Sequence, residues 1–290
     1  MGLRLKFNLV LLAVFALGLG VTGYVSHDLL QRNARDEVLR NAGVMMETAL
    51  SVRDYTVSQI RPLLPYDPEK FFPQSVPAYS ATEIMNALRK KYPDYSYKEA
   101  TLNPTNPRNK AWEWESDIVN AFRSNPDRGE ISGVRQTPTG PSLYLARPFQ
   151  IKDKDCLSCH TTAAAAPPAM VRIYGPSNGF GWKHMEVIGA QVLSVPMDLP
   201  IRNANRAFYT FLASLAAVFI VLFIILNAMM SFLIVRPIAR MSMAANQIST
   251  GSTEIPEFSE NGGDEVALLA KSFNRMRRGL EKAIELIEKR

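Results

Sequence analysis

The chain has 290 residues, a formal net charge of +6 at pH 7 and a mean hydropathy of −0.06. This length accommodates one mid-sized domain with accessory segments. The basic residues form no block interleaved with aromatic side chains, so we expect no nucleic-acid partner. The excess of basic residues instead accompanies two apolar runs, as it does beside membrane spans.

The first apolar run covers residues 7–26 and reads FNLVLLAVFALGLGVTGYVS, directly after Arg4 and Lys6. About 20 uncharged residues are enough for a helix to cross the bilayer core. The alternative is a cleaved signal peptide, but no A-x-A-like site follows the run. The sequence therefore predicts a first transmembrane helix at 7–26.

The second apolar run covers residues 207–235, between Arg206 and Arg236, with Asn227 as its one strongly polar member. A soluble domain does not need so long an uncharged run, so we predict a second transmembrane helix. Both helices would place the chain in a lipid bilayer.

The charges beside the two runs predict the orientation of the chain. Arg236 and Arg240 follow the second run, and basic residues also precede the first. Positive flanks favour the cytoplasm. We therefore expect residues 1–6 and 236–290 to be cytoplasmic and 27–206 to be periplasmic, in a bacterial inner membrane.

Within 27–206, one long helical pattern precedes several shorter elements. Apolar residues recur every three or four positions from Ala34 to Val52, which predicts a helix continuing from the first span. Further helices are predicted at 81–91 and 111–122, and partial alternation predicts strands. The strands fall within 129–138, 142–151 and 184–197. This order predicts an α+β domain of PAS-like type.

The stretch CLSCH contains both cysteines of the chain, Cys156 and Cys159, followed by His160. Cys-x-x-Cys-His is the attachment signature of c-type haem: two thiols reach the porphyrin edge and the histidine binds iron. The predicted periplasmic location suits that attachment. A disulfide, a redox dithiol and a zinc site remain alternatives, although zinc would need a fourth ligand and no strand–helix–strand unit surrounds the dithiol.

Four segments around this motif resemble the Tll0287-like (DUF3365) haem-binding sensor domain. They read NPTNPRNKAWEWE, ARPFQIKDKDCLSCH, APPAM and YGPSNGFGWKHMEVIGAQVLSVPM. The resemblance covers about 35–200, with the boundary precision usual for sequence patterns. It implies a PAS-like fold, one covalent haem c and a role in redox or gas sensing.

The second axial ligand of the iron is open. Relatives of this fold can use a cysteine from the N-terminal helix, but this chain has no cysteine to spare. Thioether and imidazole groups are the remaining suitable protein donors, and a water, an empty site or another residue is the alternative. Met45, Met46 and His184 are the distal candidates, with Met170 and His27 as weaker ones. Ordinary apolar packing is the alternative for each methionine, and a hydrogen-bonded surface position for His184.

Two loops contain weaker candidates for cofactor contacts. Arg108 suits a haem propionate, because a guanidinium pairs with carboxylates, and Asn106 lies beside it. Trp182 is a candidate for packing on the haem edge. The alternatives are a loop held by Asx turns for the first pair and an ordinary aromatic plug for Trp182.

The segment 236–290 resembles a HAMP domain. Two heptad helices flank a connector at 250–263, with Pro237 in the first helix and Asp264-Glu265 opening the second. The resemblance implies an all-α parallel coiled coil and therefore a homodimer. The alternative is a pair of amphipathic helices on the bilayer surface.

The predicted function is a membrane-bound haem c sensor. It would respond to redox state or a diatomic gas and signal through the HAMP segment to a separate cytoplasmic output protein. About 25 residues follow Asp264, too few for a kinase or cyclase of domain size, so we expect no enzyme activity. The alternatives are a membrane-anchored electron-transfer cytochrome and an adaptor with structural haem.

Overall fold

The computed structural model describes residues 2–64, 67, 69–250, 256–259 and 262–288. The chain divides into two compact units. One unit is His27–Ala207, and the other combines Met1–Ser26 with Phe208–Arg290. The predicted boundaries of the membrane spans and of the HAMP segment stay predictions.

The long N-terminal helix α1 runs from Leu3 to Tyr55. It continues as a π-helix over Thr56–Ile60 and a 3₁₀ turn over Arg61–Leu63, where Pro62 ends the regular helix. Its buried residues recur at three- or four-residue steps, as the sequence predicts, and are Ala34, Val38, Ala42, Met46 and Ala49. Met46, rather than its neighbour Met45, is the fully buried methionine of this stripe.

The α+β unit is built on one antiparallel sheet of four strands in the order β1-β4-β3-β2. The strands are β1 Ser96–Thr101, β2 Ile131–Thr137, β3 Gly140–Gln150 and β4 Val187–Pro196. Three of them match predicted strands. Strand β1 escaped prediction because it contains Lys98 and Glu99, which break the apolar alternation, and Glu99 is nevertheless fully buried.

Helices cover both faces of this sheet. Helix α1 and helix α2 (Pro77–Arg89) pack on the face that carries Leu143 and Leu193. Helix α3 (Glu113–Ser124) packs on the opposite face, which carries Ala190. The predicted start of α2 was four residues late, because Pro77 occupies the first turn, where its missing N–H costs nothing.

The connection between β3 and β4 contains the cysteine motif. It forms a 3₁₀ turn at Lys154–Cys156, then the short helices α4 (Leu157–His160) and α5 (Pro168–Tyr174). A further 3₁₀ turn at Pro107–Asn109 follows β1. These irregular segments bring the cysteine motif near the C-terminal ends of β1 and β3, since Thr101 and Phe149 line the same cavity as Cys156.

The second unit is helical. Helix α6 (Asp198–Met229) begins in the α+β unit and continues into the helical unit. It passes through a π-helix at Met230–Val235 into α7 (Arg236–Ser249), and α8 covers Glu265–Glu288. Asp264 caps α8 by accepting a hydrogen bond from the backbone N–H of Ala267 at 2.8 Å. Much of the predicted connector, namely residues 251–255, 260 and 261, lies outside the described residues, as do 289 and 290.

Two helical stretches are long and apolar enough to cross a membrane. They are Leu3–Leu63 and Asp198–Ser249. Within the helical unit their apolar parts pack together, since the ring of Phe15 stacks on that of Phe219 with centroids 4.6 Å apart. The composition and length of these helices are consistent with a membrane protein.

Candidate functional site

A cavity of about 490 Å³ lies in the α+β unit, beside the cysteine motif. Its volume is in the range of small-molecule and cofactor sites. The lining comes from the C-terminal end of α1 and from the loops around α2, β1, α4 and α5. Cys156, Cys159 and His160 all line it, together with an aromatic set made of Phe71, Phe72, Tyr79, Phe149, Tyr174 and Trp182.

The two cysteines lie on one helical turn. Cys156 ends the 3₁₀ turn and Cys159 lies three residues later in α4, and residues at this spacing share one face of a helix. Asp153 starts the turn, because its carboxylate accepts a hydrogen bond from the N–H of Asp155 at 2.9 Å. Both thiols are free. Burial, and then the charge of Asp153, raise the pKa of Cys156, so its sulfur is a thiol at neutral pH.

The imidazole of His160 is held by a backbone carbonyl. Its Nδ1 lies 2.7 Å from the carbonyl oxygen of Gly179, which can only accept, so Nδ1 carries the hydrogen. The ring stacks on Trp182 with centroids 3.9 Å apart. Burial lowers the pKa of His160, partly opposed by the bond to Gly179. A neutral imidazole with protonated Nδ1 has its lone pair on Nε2, ready to bind a metal.

A second loop supports the Gly179 carbonyl. The side-chain oxygen of Asn103 accepts from the N–H of Gly179 at 3.1 Å, and its amide nitrogen donates to the carbonyl of Phe180 at 3.2 Å. The hydroxyl of Thr105 lies 3.4 Å from Nδ1 of His160. Neither Gly179 nor Thr105 was predicted to act here. The Asn-Pro steps and the spaced glycines were the sequence signals that marked these loops as special.

Gly179 cannot be replaced by a larger residue without a rearrangement. Its φ is +83°, a left-handed conformation that favours glycine. An added Cβ would lie 2.0 Å from the hydroxyl and 2.7 Å from the Cα of Thr105. The close approach of these two loops therefore depends on the missing side chain, and it places the Gly179 carbonyl against His160.

A buried charge cluster borders another part of the cavity. Arg53, near the end of α1, lines the cavity and forms an ion pair with Glu99 of β1, whose side chain is 1% exposed. Tyr97 donates to Glu99 at 2.9 Å. Burial lowers the pKa of Arg53, but Glu99 and Tyr97 raise it by more, so Arg53 stays charged. Burial and the charge of Glu99 raise the pKa of Tyr97 well above its ordinary value.

The predicted propionate residues also line the cavity. Arg108 is already paired with Glu83 at 2.6 Å and lies 5.2 Å from the ring centre of Tyr79. The side chain of Asn106 accepts a hydrogen bond from the N–H of Arg108 at 3.1 Å. Asn106 therefore forms an Asx turn, and an anionic ligand would share Arg108 with Glu83. Their roles toward a cofactor stay predictions.

The three predicted distal candidates do not line the cavity. Met46 is fully buried in the core beneath the sheet, and Met45 packs against that core. His184 is exposed, with its Nε2 at 3.1 Å from the carbonyl of Lys152. Met170 of α5, 3% exposed, is the one methionine among the described lining residues. Side-chain periodicity placed the first two correctly on α1 but could not say which surface faced the cavity.

No group of three or more His, Cys, Asp or Glu side chains is arranged to hold a metal ion in the part of the chain that the structure describes. His160 is the histidine that lines the cavity among the described residues. Two thiols beside it can hold a molecule covalently, and the aromatic lining suits a flat, apolar one.

Comparisons with known proteins gave two family profiles and one solved structure. The profile of the Tll0287-like family matches residues 31–196, and the profile of the HAMP domain matches residues 229–282. The crystal structure of the cyanobacterial heme-protein Tll0287 gives a TM-score of 0.44 at 14% sequence identity, over 55% of this chain and 95% of that one. A search of curated proteins gave no match.

Proposed function

This chain belongs to the Tll0287-like family, with a HAMP domain after the family domain, and from that premise we propose that it is a haem c signal transducer of a bacterial inner membrane. The α+β unit would be a periplasmic, PAS-like sensor domain. Redox change or a diatomic gas would be the input, and a separate cytoplasmic protein would carry the output.

One observation carries this proposal. Cys156, Cys159 and His160 line the same cavity, and the hydrogen bond from Nδ1 of His160 to Gly179 leaves Nε2 free. This is the arrangement that a covalent haem requires, with two thiols at its edge and one imidazole ready to bind iron. A histidine bound to a metal through one nitrogen usually donates from the other to a carbonyl or carboxylate.

Each lining residue has a distinct role in the proposal. Cys156 and Cys159 would form the two thioether links, and His160 would bind the iron. Trp182 holds the plane of the His160 ring, and Arg108 would lie near the propionates. Haem supplies one-electron redox chemistry and, where an axial position is open, binding of small ligands.

A second ligand to the iron would have to come from a side chain that reaches the cavity. Met45, Met46 and His184 do not line the cavity, so a ligand from any of them would require a rearrangement. Met170 lines the cavity and carries a thioether, so it is the distal candidate to test first.

Signal transfer is proposed to follow the order of the chain. Arg53 connects the cavity lining to α1, which contains the first apolar run, and α6 leads from the sensor domain to α7. The apolar side chains of Leu269, Met276 and Leu280 on α8 are 45–60% exposed in the single chain. Exposed heptad positions suit a coiled coil, so we propose that the HAMP domain forms a homodimer with two states.

The test uses the full-length protein in membranes with the substitution Met276→Cys. The native cysteines would be held by haem, so a bifunctional maleimide would link two copies through position 276. We expect the cross-linked fraction to differ between oxidised and reduced protein, and His160→Ala to abolish that difference. Absence of any cross-link would contradict the homodimer. Cross-linking that ignores the redox state, with haem present, would favour the electron-transfer cytochrome.

A further inference from the structure

We propose that Asn103 is a positioning residue for His160, acting through the peptide bond between Gly179 and Phe180. This inference rests on the proposed function, in which His160 binds iron. It adds a residue that does not touch the cofactor, yet sets the direction and the donor strength of the iron ligand.

The contacts of Asn103 define this role. Its side chain makes two hydrogen bonds to backbone groups. It accepts one from the N–H of Gly179 at 3.1 Å and donates one to the carbonyl of Phe180 at 3.2 Å. Two bonds from one planar amide fix both the position and the rotation of the segment that they grip. The Gly179 carbonyl, in the same segment, accepts from His160 at 2.7 Å.

The backbone around Gly179 needs these hydrogen bonds to be held in one conformation. Gly179 has a positive φ, and glycine populates many conformations about equally, so the loop gains little order from its own torsions. The Asn103-Pro104 step, in contrast, restricts Asn103 to extended geometry. Asn103, whose backbone is restricted, therefore orients Gly179, whose backbone is not, although the two residues are 76 positions apart in the sequence.

Asn103 is largely exposed and is not part of either hydrophobic core cluster. Its removal should therefore leave the sheet and its helices intact. The effect should fall on the short bond between Nδ1 of His160 and Gly179. That bond makes the imidazole a stronger donor to a metal on its other nitrogen.

The direction of the effect follows from this electrostatic argument. A stronger donor favours oxidised iron over reduced iron, because it stabilises the higher positive charge. Weakening the bond to Gly179 therefore raises the reduction potential. Thr105, 3.4 Å from the same nitrogen, is a secondary contact, so its removal should have a smaller effect in the same direction.

The experiment compares variants of the full-length holoprotein. Asn103→Ala removes both bonds, and Asn103→Ser keeps a neutral hydroxyl that is one bond too short to hold both backbone groups. Asn120→Ala is the matched control, because this exposed asparagine of α3 does not line the cavity. Haem content is measured first by pyridine haemochrome, then the reduction potential by titration and the ligand field of ferric iron by electron paramagnetic resonance.

We expect haem content near the wild-type value and an upward shift of the potential that is largest for Asn103→Ala, smaller for Asn103→Ser and negligible for Asn120→Ala, with changed g-values in the first two. Equal potentials and g-values for Asn103→Ala and Asn120→Ala would overturn the inference. If Asn103→Ala fails to take up haem, the potential of Asn103→Ser against Asn120→Ala decides. Absence of haem in the unsubstituted protein would instead contradict the proposed function.

Discussion

Two parts of the cavity lining are held together by different physical means. Around His160 the contacts are short neutral hydrogen bonds and a ring stack, made by loops whose backbone comes close enough only at a glycine. At the end of α1 the contact is a buried ion pair between Arg53 and Glu99, beside a π-helix. The first part holds one imidazole in place, and the second links α1 to strand β1.

This difference means that the position of His160 is fixed, whereas the contact between Arg53 and Glu99 can adjust. Neutral hydrogen bonds to backbone define geometry with little dependence on surrounding charge. A buried ion pair responds to any new charge nearby, because the low dielectric screens it weakly. In the proposed function the iron charge changes by one unit with redox state, so the part containing Arg53 is the one placed to respond.

The largest expected effect comes from removing the fixed ligand. In the proposed function, His160→Ala would keep the two thioether links but remove the iron ligand that the chain supplies, so the absorption spectrum of the ferric protein should change to a weak-field form. His184→Ala is the matched control, because this exposed histidine contacts only the Lys152 carbonyl among the bonds described for its ring. Equal spectra for both variants would remove His160 from the site.

The next largest expected effect is the loss of stability when the ion pair between Arg53 and Glu99 is broken. Glu99→Ala leaves Arg53 buried without its partner, which should lower the free energy of unfolding by about 3–5 kcal/mol. Glu83→Ala breaks the ion pair with Arg108, in which the Glu83 side chain is 45% exposed, and should cost about 0–1 kcal/mol. Denaturant titration of the two proteins measures the difference, and similar midpoints would mean that the Arg53 pair gives no special stability.

A pair of glycine variants tests the close approach around His160. Gly179 and Gly181 both have positive φ, at +83° and +81°, so alanine at either should cost about 1–3 kcal/mol of strain. Alanine at 179 also meets Thr105, whereas nothing lies within 4 Å of the Cβ at 181. Thermal unfolding should show Gly179→Ala to be the less stable variant. Equal melting temperatures would argue against the close contact.

The smallest effect concerns α1 away from the cavity. Gly43 lies inside this helix with nothing within 4 Å of an added Cβ. Gly43→Ala should therefore stabilise the protein by about 0.5–1 kcal/mol, through helix propensity alone. Denaturant titration should show the gain without a change in the absorption spectrum of the cofactor. A spectral change would mean that the cavity depends on this distant part of α1.

Local patterns in the sequence predicted much of the fold. The three- and four-residue steps of α1 and α3 and the apolar alternation of β3 and β4 depend on neighbours in the chain, so the sequence reports them. The cysteine motif is equally local. Strand β1 was missed because Glu99 lies in it, and a buried carboxylate makes sense only once Arg53 is seen beside it, 46 positions away.

The support for His160 was also beyond sequence reasoning. The bonds of Asn103 cross 76 positions, and the stack on Trp182 joins two loops that no periodicity connects. The methionines of α1 show a related limit of prediction from sequence. Helical spacing predicted that Met45 and Met46 lie near the core, but only the packing of the sheet shows that neither of them lines the cavity.

The most direct test of the central claim is a mass map of the peptide containing residues 155–172, which trypsin releases between Lys154 and Arg172. Protein purified from a host able to attach haem c should give this peptide with the added mass of one haem and with no thiol open to alkylation. The same peptide with both Cys156 and Cys159 alkylated, and no haem added, would contradict the account.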